Sequence, residues 1–504
     1  MALLLGIDLG TSSAKALLLD AENGRVVAVG QQEYPLMQPA PMWAEQNPED
    51  WWQAAVTAVR QCLREGDARD VVAIGLTGQM HGGALLDSTN TPLAPAIIWA
   101  DARSGAVAQS MTDHIGAERF CQITGTLPAA GFLGPTLRWV QQQNRKLFDR
   151  IDRIVLPKDY LRLKLTGEAA TDISDASATA LFDVSRGTWS AELLKAFDLP
   201  ERIFPKVLQS SEVAGTLQTA AADVLGLSAG LPVIAGCADQ PAQALTNGLI
   251  SPGAASLTIG TGGQIFAPVA LSPGQPAPTD PRLHLFCHAV LEMHYLLGAT
   301  LSAGLSLRWL RDLFAMQNQP DAYARLSAEA LSIRPGAEGL IFLPYLAGER
   351  TPHMNAEARG GFIGLRLHHT RAHMVRAVME GVVFSLRQVL ELVLQTGGLS
   401  ISTLTASGGA LENALWQRLV TDITGLPLAK SLSTEQTATG AALLAGIGAG
   451  IYGSFAEASA QTARQASPVE PDPVHQAVYG PIYQQFCTLY PTLEGDFRHL
   501  SGRV

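Results

Sequence analysis

Cysteine and charge are both scarce in this chain. Of its 504 residues only five are cysteine and 16% are charged, and the cysteines are widely spaced, with no CxxC pair and no Cys/His cluster. This spacing excludes a disulfide scaffold, gives no sign of a zinc site and favours a reducing, cytoplasmic location. The net charge of −10 gives the chain no general attraction to nucleic acid or to anionic membranes.

Long apolar runs and the two best-known nucleotide-binding signatures are missing as well. Residues 240–279 carry no charge, but glycine, proline, serine and threonine interrupt them, so no membrane-spanning helix is expected. The N-terminal apolar run has no basic residues before it and contains Asp8, which favours a strand over a signal peptide. No GxxxxGK[ST] occurs, and no strand leads into GxGxxG, which excludes the P-loop and Rossmann classes.

What is present is typical of a folded α/β protein of two or three domains, with 47% hydrophobic residues. Within residues 3–20, two apolar β-favouring runs surround a glycine-containing turn, and a further strand is predicted over 26–30. Asn47 and Pro48 provide the cap and first residue of an amphipathic helix, and residues 71–77 predict the next strand. Antiparallel strands, a helix and a strand that can pair in parallel indicate an α/β domain.

Two parts of this opening recur in the second half of the chain. Residues 254–269 again place a Gly-Thr turn between β-favouring runs, and the strand with its glycine-rich turn at 71–83 has a counterpart at 401–413. Repetition of a supersecondary unit indicates a duplicated core. The sequence therefore predicts an N-terminal domain over residues 1–247 and a C-terminal domain of similar topology over residues 248–504.

The first candidate site residue is Asp8, because an acid within an apolar strand is costly unless something pairs with it or is coordinated by it. The turn after it offers backbone N–H groups and hydroxyls to phosphate oxygens, while a strand carboxylate suits hydrated Mg²⁺. An ordinary hairpin with an outward-facing Asp8 is the structural alternative. Because a similar turn recurs, we expect the two turns to hold the phosphates of one nucleotide from both sides. The turns comprise Gly10, Thr11 and Ser12 in the first half and Gly260, Thr261 and Gly262 in the second.

A second acid, Asp239, follows an apolar strand and precedes Gln240 and Pro241. This is the position of a helix N-cap, which is a structural role. It is also the end of a strand beside the expected domain boundary, where a carboxylate can accept a proton from a substrate hydroxyl. The two roles do not exclude each other, and both stay open.

A glycine-rich loop that contains Gln79, Met80 and His81 suits a polyol. Glutamine and histidine donate and accept hydrogen bonds as a sugar requires, and glycines allow the backbone to approach closely. The structural alternative for His81 is an ordinary turn residue. Trp99 and Asp101 are interpreted either as a wall that faces the sugar or as part of a strand edge.

The last candidate is the run Gly408, Gly409 and Ala410, which precedes an amphipathic helix predicted to end at Gly425. The N–H groups and dipole of a helix start favour phosphate, and absent side chains admit a base or ribose. A glycine-rich strand-to-helix turn without a ligand is the alternative.

Taken together, these segments resemble the FGGY family of carbohydrate kinases over nearly the whole chain. The motifs that carry the resemblance follow in the family's order: GIDLGTSSAKALLLD, GLTGQMHGGALLD, IWADAR, LPKDYLRLKLTGE, ADQPAQA, LPYLAGERTPH and SGGALENALWQRLVTDITG. Residues 360–380 also fit the family's C-terminal signature. Such an ordered set is highly specific.

The resemblance implies an α/β fold of two ribonuclease-H-like, actin-like ATPase domains with the active site in the cleft between them. It implies phosphorylation of the terminal hydroxyl of D-xylulose by ATP with Mg²⁺, with sugar bound by the N-terminal domain and nucleotide by the C-terminal one. A homodimer is also suggested, with no nucleic-acid or membrane partner.

The resemblance also implies a role for each candidate residue. Asp239 is the expected general base, and Asp8 and Asp239 are the expected metal-binding residues. The sugar is expected to contact Gln79, Met80, His81, Trp99, Asp101, Asp239 and Gln240. The nucleotide is expected to contact Gly10, Thr11, Ser12, Lys15, Gly260, Thr261, Gly262, Gly304, Gly408, Gly409, Ala410 and Asn413.

The chain departs from the family pattern at three places. Thr136 stands where a family signature has lysine, Gln240-Pro241 replaces the Asn-Ala pair, and Gly262 replaces a serine in the second phosphate turn. Two alternatives stay open. One is a kinase of the same family for another ketose or polyol, such as L-xylulose, ribulose or glycerol. The other is an actin-like ATPase that has no small-molecule acceptor.

Overall fold

The computed structural model describes residues 1–271 and 277–501. The strands of the first half are β1 (Leu3–Leu9), β2 (Ser13–Asp20), β3 (Val26–Glu33), β4 (Glu45–Gln46), β5 (Val71–Gly78), β6 (Ala84–Leu86), β7 (Ala96–Ile97), β8 (Arg153–Val155), β9 (Ala170–Asp172), β10 (Phe182–Asp183), β11 (Thr188–Trp189), β12 (Lys206–Leu208), β13 (Val213–Thr216), β14 (Pro232–Ile234) and β15 (Cys237–Ala238). Its helices are α1 (Pro48–Cys62), α2 (Gly105–Ile115), α3 (Ala117–Thr124), α4 (Leu133–Gln143), α5 (Arg145–Phe148), α6 (Pro157–Thr166), α7 (Ile173–Ser177), α8 (Ala191–Ala196), α9 (Thr219–Leu225) and α10 (Asp239–Thr246).

The second half has fewer strands among the described residues. Its strands are β16 (Ala255–Ile259), β17 (Gly263–Ala270), β18 (His284–Cys287), β19 (Met293–Thr300), β20 (Ile341–Leu343), β21 (Gly361–Ile363), β22 (Leu404–Ser407) and β23 (Leu428–Lys430). Its helices are α11 (Gly304–Leu313), α12 (Ala322–Leu331), α13 (Arg371–Gly397), α14 (Ala414–Thr424), α15 (Gln436–Gly448), α16 (Phe455–Ala460) and α17 (Pro473–Ser501). Short 3₁₀ turns occupy Ala68–Asp70, Glu201–Ile203, Ala337–Gly339 and Gly409–Glu412.

The first sheet has the strand order β13-β14-β5-β1-β2-β3, and β15 adds to β5. Strand β1 is buried along its whole length, as a central strand of apolar sequence should be. It pairs antiparallel with β2 and parallel with β5, as the sequence predicts. Helix α1 packs beside this sheet, and the Asn47 side chain caps it by accepting the Glu49 N–H at 3.2 Å.

The second sheet repeats this arrangement with the order β18-β19-β17-β16-β22-β23. Strand β16 pairs antiparallel with β17 and parallel with β22, which are the relations that β1 has with β2 and β5. The predicted duplication of the core topology is therefore confirmed.

Helix α15 comes from the second half of the chain but packs on the first sheet. A Cβ at Gly6 would lie 2.0 Å from the carbonyl oxygen of Ala438, and one at Gly75 would lie 1.8 Å from that of Ala441. These two strand positions therefore need glycine for the helix to approach. The helix begins directly beside the end of β1, so residues far apart in the sequence meet at Asp8.

Among the described residues, no helix combines the length and apolarity needed to cross a lipid bilayer. All five cysteines are free thiols.

Candidate active site

Asp8 lies near the end of β1 and is only 8% exposed. Its Oδ2 accepts a hydrogen bond from the Thr437 hydroxyl at 2.5 Å. Its Oδ1 is buried and accepts no hydrogen bond from any residue that the structure describes. Burial raises the pKa of Asp8, while Thr437 and then Lys15 act in the opposite direction. Thr437 lies in no recognisable sequence motif, so the sequence did not indicate its contact with Asp8.

Asp239 lies at the same edge of the sheet as Asp8. Asp8 is level with Thr77 of β5, and Thr77 is level with Cys237 of β15, two residues before Asp239. With neighbouring strands about 4.8 Å apart, the backbones of the two acids are separated by on the order of 10 Å. Burial and, second, the charge of Asp8 raise the pKa of Asp239 to about 7.

The interpretation of Asp239 as an N-cap is wrong. Helix α10 begins at Asp239 itself, and Ala238 is the cap residue. The Asp239 carboxylate is therefore at the first helical position, where the backbone N–H and side chain of Gln240 favour its ionised form. Its Oδ1 is buried without a hydrogen-bond partner among the described residues. Gln240 is partly exposed beside it.

A buried glutamine, Gln46, holds the loop after β5 in place through hydrogen bonds. Gln46 accepts from the Gln79 amide at 2.9 Å and from the Trp51 indole at 3.0 Å, and it donates to the Thr11 carbonyl at 2.6 Å. Gln79 and Met80 are both buried. This network, which the sequence did not indicate, ties the first phosphate turn to the predicted sugar loop.

His81 adopts a positive φ of 74° and stacks on Phe132 with ring centroids 4.0 Å apart. Its Nδ1 lies 2.7 Å from the Ala178 carbonyl, which can only accept a hydrogen bond. Burial lowers the pKa of His81 to about 4, so the ring is neutral at physiological pH. The proton is therefore on Nδ1, and Nε2 is left as an acceptor.

Two residues near this loop were missed from the sequence. His284 of β18 bonds the Thr126 hydroxyl through Nδ1 at 2.7 Å. Its pKa is lowered to about 3 by burial first, and then by His81 and the cation of Arg350. Arg350 likewise lowers the pKa of His81. The GERTP run that contains Arg350 was noticed only as part of the family resemblance.

Trp99 and Asp101 differ in what they can contact. Trp99 is 44% exposed and donates from its indole nitrogen to the Thr11 hydroxyl at 2.8 Å. Asp101 is 2% exposed, and its carboxylate accepts from the Ala44 N–H at 2.7 Å and from Arg103 at both oxygens. The expectation that Asp101 contacts sugar is corrected accordingly: its oxygens are occupied by protein donors, and it holds the backbone at Ala44.

The first turn is held from both sides. Tyr34 donates its hydroxyl to the Gly10 carbonyl, and the Ser12 carbonyl accepts the Tyr34 N–H at 3.2 Å. Thr11 receives the contacts from Gln46 and Trp99 described above. Ser12 is exposed to solvent.

The second turn is joined to the start of α11. The Gly260 carbonyl accepts the Gly304 N–H at 2.9 Å, and the Thr261 carbonyl accepts the N–H groups of Ala303 and Leu305 at 3.0 Å. A side chain at Gly262 would collide with the Thr300 carbonyl, since its Cβ would lie 2.4 Å away. A serine at this position, as in the family pattern, does not fit this backbone.

A cavity of about 520 Å³ opens between this turn and the glycine-rich run before α14. It brings together half of the predicted nucleotide residues, which are Gly260, Thr261, Gly304, Gly409, Ala410 and Asn413. The side-chain oxygen of Asn413 caps α14 by accepting the Leu415 N–H at 2.9 Å, which leaves the side-chain NH₂ group available to a ligand. Arg308 and Tyr323, which the sequence did not indicate, also line this cavity.

A second cavity of about 820 Å³ adjoins the first at Gly409 and Glu412 and extends to the first sheet. It is lined by Lys15, Gly408 and Thr437. Lys15 forms an ion pair with Glu435 at 2.7 Å, so its charge is already neutralised by protein in this structure. Gly10, Thr11, Ser12 and Gly262 do not line either cavity.

The chemistry of Asp8 and Asp239 suits Mg²⁺. Each has a buried carboxylate oxygen with no hydrogen-bond donor, and Mg²⁺ is bound through one or two carboxylates while it keeps several waters. Within the described part of the chain, no group of three or more His, Cys, Asp or Glu residues could hold a metal ion by itself. A metal here would need oxygen atoms from a substrate as well.

Comparison with known proteins gives consistent matches along the chain. Residues 3–246 match the N-terminal domain, and residues 255–449 the C-terminal domain, of the FGGY family of carbohydrate kinases. A xylulose kinase of Escherichia coli (strain K12) is 38% identical over 490 residues, 97% of this chain and 99% of that protein. A gluconokinase of Bacillus subtilis (strain 168) is 30% identical over 462 residues, 90% of this chain and 88% of that protein.

Solved structures agree with these matches. The crystal structure of a xylulose kinase from Rhodospirillum rubrum superposes with a TM-score of 0.92 at 31% identity, and the match covers 98% of this chain and 100% of that one. The predicted α/β architecture of two ribonuclease-H-like domains is thereby confirmed.

Proposed function

The chain belongs to the FGGY family of carbohydrate kinases, and we propose that it transfers the γ-phosphoryl group of ATP to the terminal hydroxyl of D-xylulose. The product is D-xylulose 5-phosphate. One observation carries this proposal: Asp239, with a pKa near neutrality and an oxygen free to accept a proton, lies at the same end of the first sheet as Asp8 and the first phosphate turn.

Asp239 is the general base of this reaction. Its carboxylate accepts the proton of the sugar hydroxyl as the oxygen attacks phosphorus and the bond to the ADP leaving group breaks. A base is most efficient when its pKa is near the working pH, and burial together with Asp8 brings Asp239 to about 7. Positioning and charge neutralisation supply the rest of the acceleration.

The sugar binds against the loop after β5. Nε2 of His81 accepts a hydrogen bond from a sugar hydroxyl, because Nδ1 donates to the Ala178 carbonyl. Met80 provides apolar surface, and the free carbonyl oxygen of the Gln79 side chain provides a further acceptor. Trp99 and Gln240 complete this side of the pocket.

The nucleotide occupies the two adjoining cavities, with its nucleoside in the smaller one beside Gly409 and Asn413 and its phosphates in the larger one. Lys15 exchanges its ion pair with Glu435 for a phosphate oxygen when ATP binds. Asp8 and Asp239 would hold Mg²⁺, in part through water, and the ion would neutralise charge on the phosphates. In this assignment residues 1–247 bind sugar and supply the base, and residues 248–504 bind nucleotide.

A second acceptor class is favoured by one specific observation. The cation of Arg350 lowers the pKa of both His81 and His284, which indicates positive charge on the side of the site where the sugar is proposed to bind. A gluconokinase is among the relatives of the chain. A sugar acid such as gluconate is therefore the alternative to test beside neutral ketoses.

The test is ADP release coupled to a reporter reaction, measured with D-xylulose, L-xylulose, D-ribulose, L-ribulose, glycerol and gluconate. We expect the highest kcat/KM with D-xylulose and a product phosphorylated at its terminal carbon. A higher value with gluconate would favour the second acceptor class. ADP release that no sugar stimulates would contradict both and favour an ATPase without an acceptor.

We further propose a cytoplasmic homodimer. The five free cysteines are compatible with a reducing compartment. Light scattering of the purified protein measures its mass, and a monomer of 53.4 kDa would contradict the dimer.

A further inference from the structure

A fully buried ion cluster lies beneath the strand that leads to Asp239. Lys158 of α6 pairs through Nζ with the carboxylates of Asp159 at 2.6 Å, Asp172 at 2.7 Å and Asp175 at 2.9 Å. Arg162 pairs with Asp159 at 2.8 Å. All five side chains are inaccessible to solvent. A buried cluster of this kind is weak evidence for stability, since well-packed apolar residues often stabilise a fold equally well. It can, however, fix the positions of the backbone segments that its members bond.

One serine connects this cluster to the candidate base. Oδ2 of Asp172 accepts the Ser174 N–H at 2.8 Å and the Ser174 hydroxyl at 2.6 Å. The Ser174 oxygen in turn accepts the N–H of Ala238 at 3.0 Å. The direction of these hydrogen bonds is fixed, because a carboxylate cannot donate a hydrogen bond and a backbone N–H cannot accept one. Ala238 is the residue directly before Asp239.

The same cluster holds the preceding backbone at two more points. Arg162 donates to the Ala235 carbonyl at 2.6 Å. The Ser210 hydroxyl donates to Asp172 at 2.8 Å, and the Ser210 carbonyl accepts the Gly236 N–H at 3.0 Å. The segment that ends at Asp239 is thus bound, directly or through Ser174 and Ser210, to the buried ion cluster.

Helix α7, which contains Ser174, also reaches the predicted sugar loop. Ala178, the residue after the helix, accepts the Nδ1–H of His81. The short helix therefore contacts both the backbone before the base and the histidine that faces the sugar. A displacement of this helix would therefore move both the backbone before Asp239 and the His81 side chain.

We propose that Ser174 is a positioning residue for phosphoryl transfer, which sets the orientation of Asp239 through the Ala238 N–H. The proposal rests on the proposed role of Asp239 as base. Proton transfer depends steeply on geometry, and displacements of about 1 Å at a reacting group can cost on the order of 100-fold in rate. Removing the serine hydroxyl leaves the buried Ala238 N–H without an acceptor, so the start of α10 must shift to find another.

The test compares Ser174→Ala with Ser177→Ala. Ser177 is a matched control because it lies on the same helix and is equally buried, while its hydroxyl bonds the Ser174 carbonyl at 2.7 Å and the Cys287 N–H at 3.0 Å rather than the backbone before Asp239. We expect Ser174→Ala to lower kcat about tenfold or more, with KM for sugar and ATP changed less than threefold. Ser177→Ala should lose comparable thermal stability while kcat stays within threefold of wild type. Equal kcat losses in the two variants would overturn the proposal.

A double variant separates this proposal from the assignment of the base. If Ser174 acts through Asp239, adding Ser174→Ala to Asp239→Asn should lower kcat no further. A multiplicative loss in the double variant would contradict the positioning role while leaving Asp239 as base. Full turnover by Asp239→Asn alone would instead contradict the proposed function. Should Ser174→Ala not fold, Ser174→Cys keeps a similar volume with a weaker acceptor, and wild-type kcat in that variant would also overturn the proposal.

Discussion

Asp8 and Asp239 lie on opposite sides of strand β5 at one edge of the first sheet, and the charge of Asp8 raises the pKa of Asp239. Two acids at this spacing can have different roles, because burial and mutual repulsion affect them differently. Asp8 is bonded to Thr437 and faces Lys15, which favour its charged form. Burial and the charge of Asp8 raise the pKa of Asp239 to about 7, which suits a group that must bind and release a proton.

Replacing Asp239 by Asn should cut kcat by about 10² to 10⁴, because the amide cannot accept the hydroxyl proton. The affinity for ATP should change little, since the nucleotide cavities are lined by other residues. Steady-state kinetics and ATP titration measure the two effects. Asp223→Asn, at an exposed position of α9, is the matched control and should be indistinguishable from wild type.

The pH dependence of kcat/KM should report the electrostatic coupling between Asp8 and Asp239. A base must be ionised to act, so activity should fall as pH decreases through about 7, the pKa of Asp239. Asp8→Asn removes the neighbouring negative charge, which lowers the pKa of Asp239 and should move this acidic limb to lower pH. The position of the limb is compared rather than the maximum rate, because Asp8 is also proposed to hold Mg²⁺. A limb that stays in place or moves to higher pH would contradict the coupling.

Local patterns were enough to predict the parts of the fold that depend on neighbouring residues. The two hairpins, the helix capped by Asn47 and the parallel strand β5 all follow from alternation, caps and turn residues, and the structure has each of them. The start of α10 was misassigned by one residue because an aspartate is equally suitable at the cap and at the first helical position.

Contacts between distant segments could not be predicted in the same way. Thr437 meets Asp8 across 429 positions because α15 packs against glycines of β1 and β5, and no local pattern encodes that approach. The error at Asp101 has a different origin. Arg103 follows two residues later, and an Asp-x-Arg spacing allows the internal pair that the structure contains, whereas the expected sugar contact came from the family resemblance.

Gly409 offers a test of where the nucleotide binds. A Cβ at this position would meet no protein atom within 4 Å, so the glycine is not required by packing, although it borders both cavities. Gly409→Val should raise KM for ATP about tenfold, which corresponds to about 1.4 kcal/mol, without lowering the melting temperature. Gly361→Val is the control, because a Cβ there is equally unhindered and lies outside both cavities. An unchanged KM for ATP in Gly409→Val would place the nucleotide elsewhere.

The buried cluster makes opposite predictions for two of its carboxylates. The pKa of Asp175 is raised to about 8, chiefly by burial and then by the charges of Asp172 and Asp159, against the effect of Lys158. Its ordinary value of 3.8 applies in the unfolded chain, so the unfolded state loses its proton before the folded state does. The free energy of unfolding contributed by Asp175 should therefore be highest below pH 3.8, decrease as pH rises towards 8 and stay level above it.

Asp175→Asn imitates the protonated acid and should remove this dependence, so the variant should gain stability relative to wild type between pH 5.5 and 8. Asp172→Asn should instead lose about 3–5 kcal/mol at both pH values, because Oδ2 of Asp172 accepts three hydrogen bonds and Oδ1 pairs with Lys158. Thermal unfolding at a fixed scan rate, at pH 5.5 and at pH 8, measures both. If Asp175→Asn were as destabilising at pH 8 as Asp172→Asn, Asp175 would have to be ionised in the folded protein, and the cluster would carry a net negative charge.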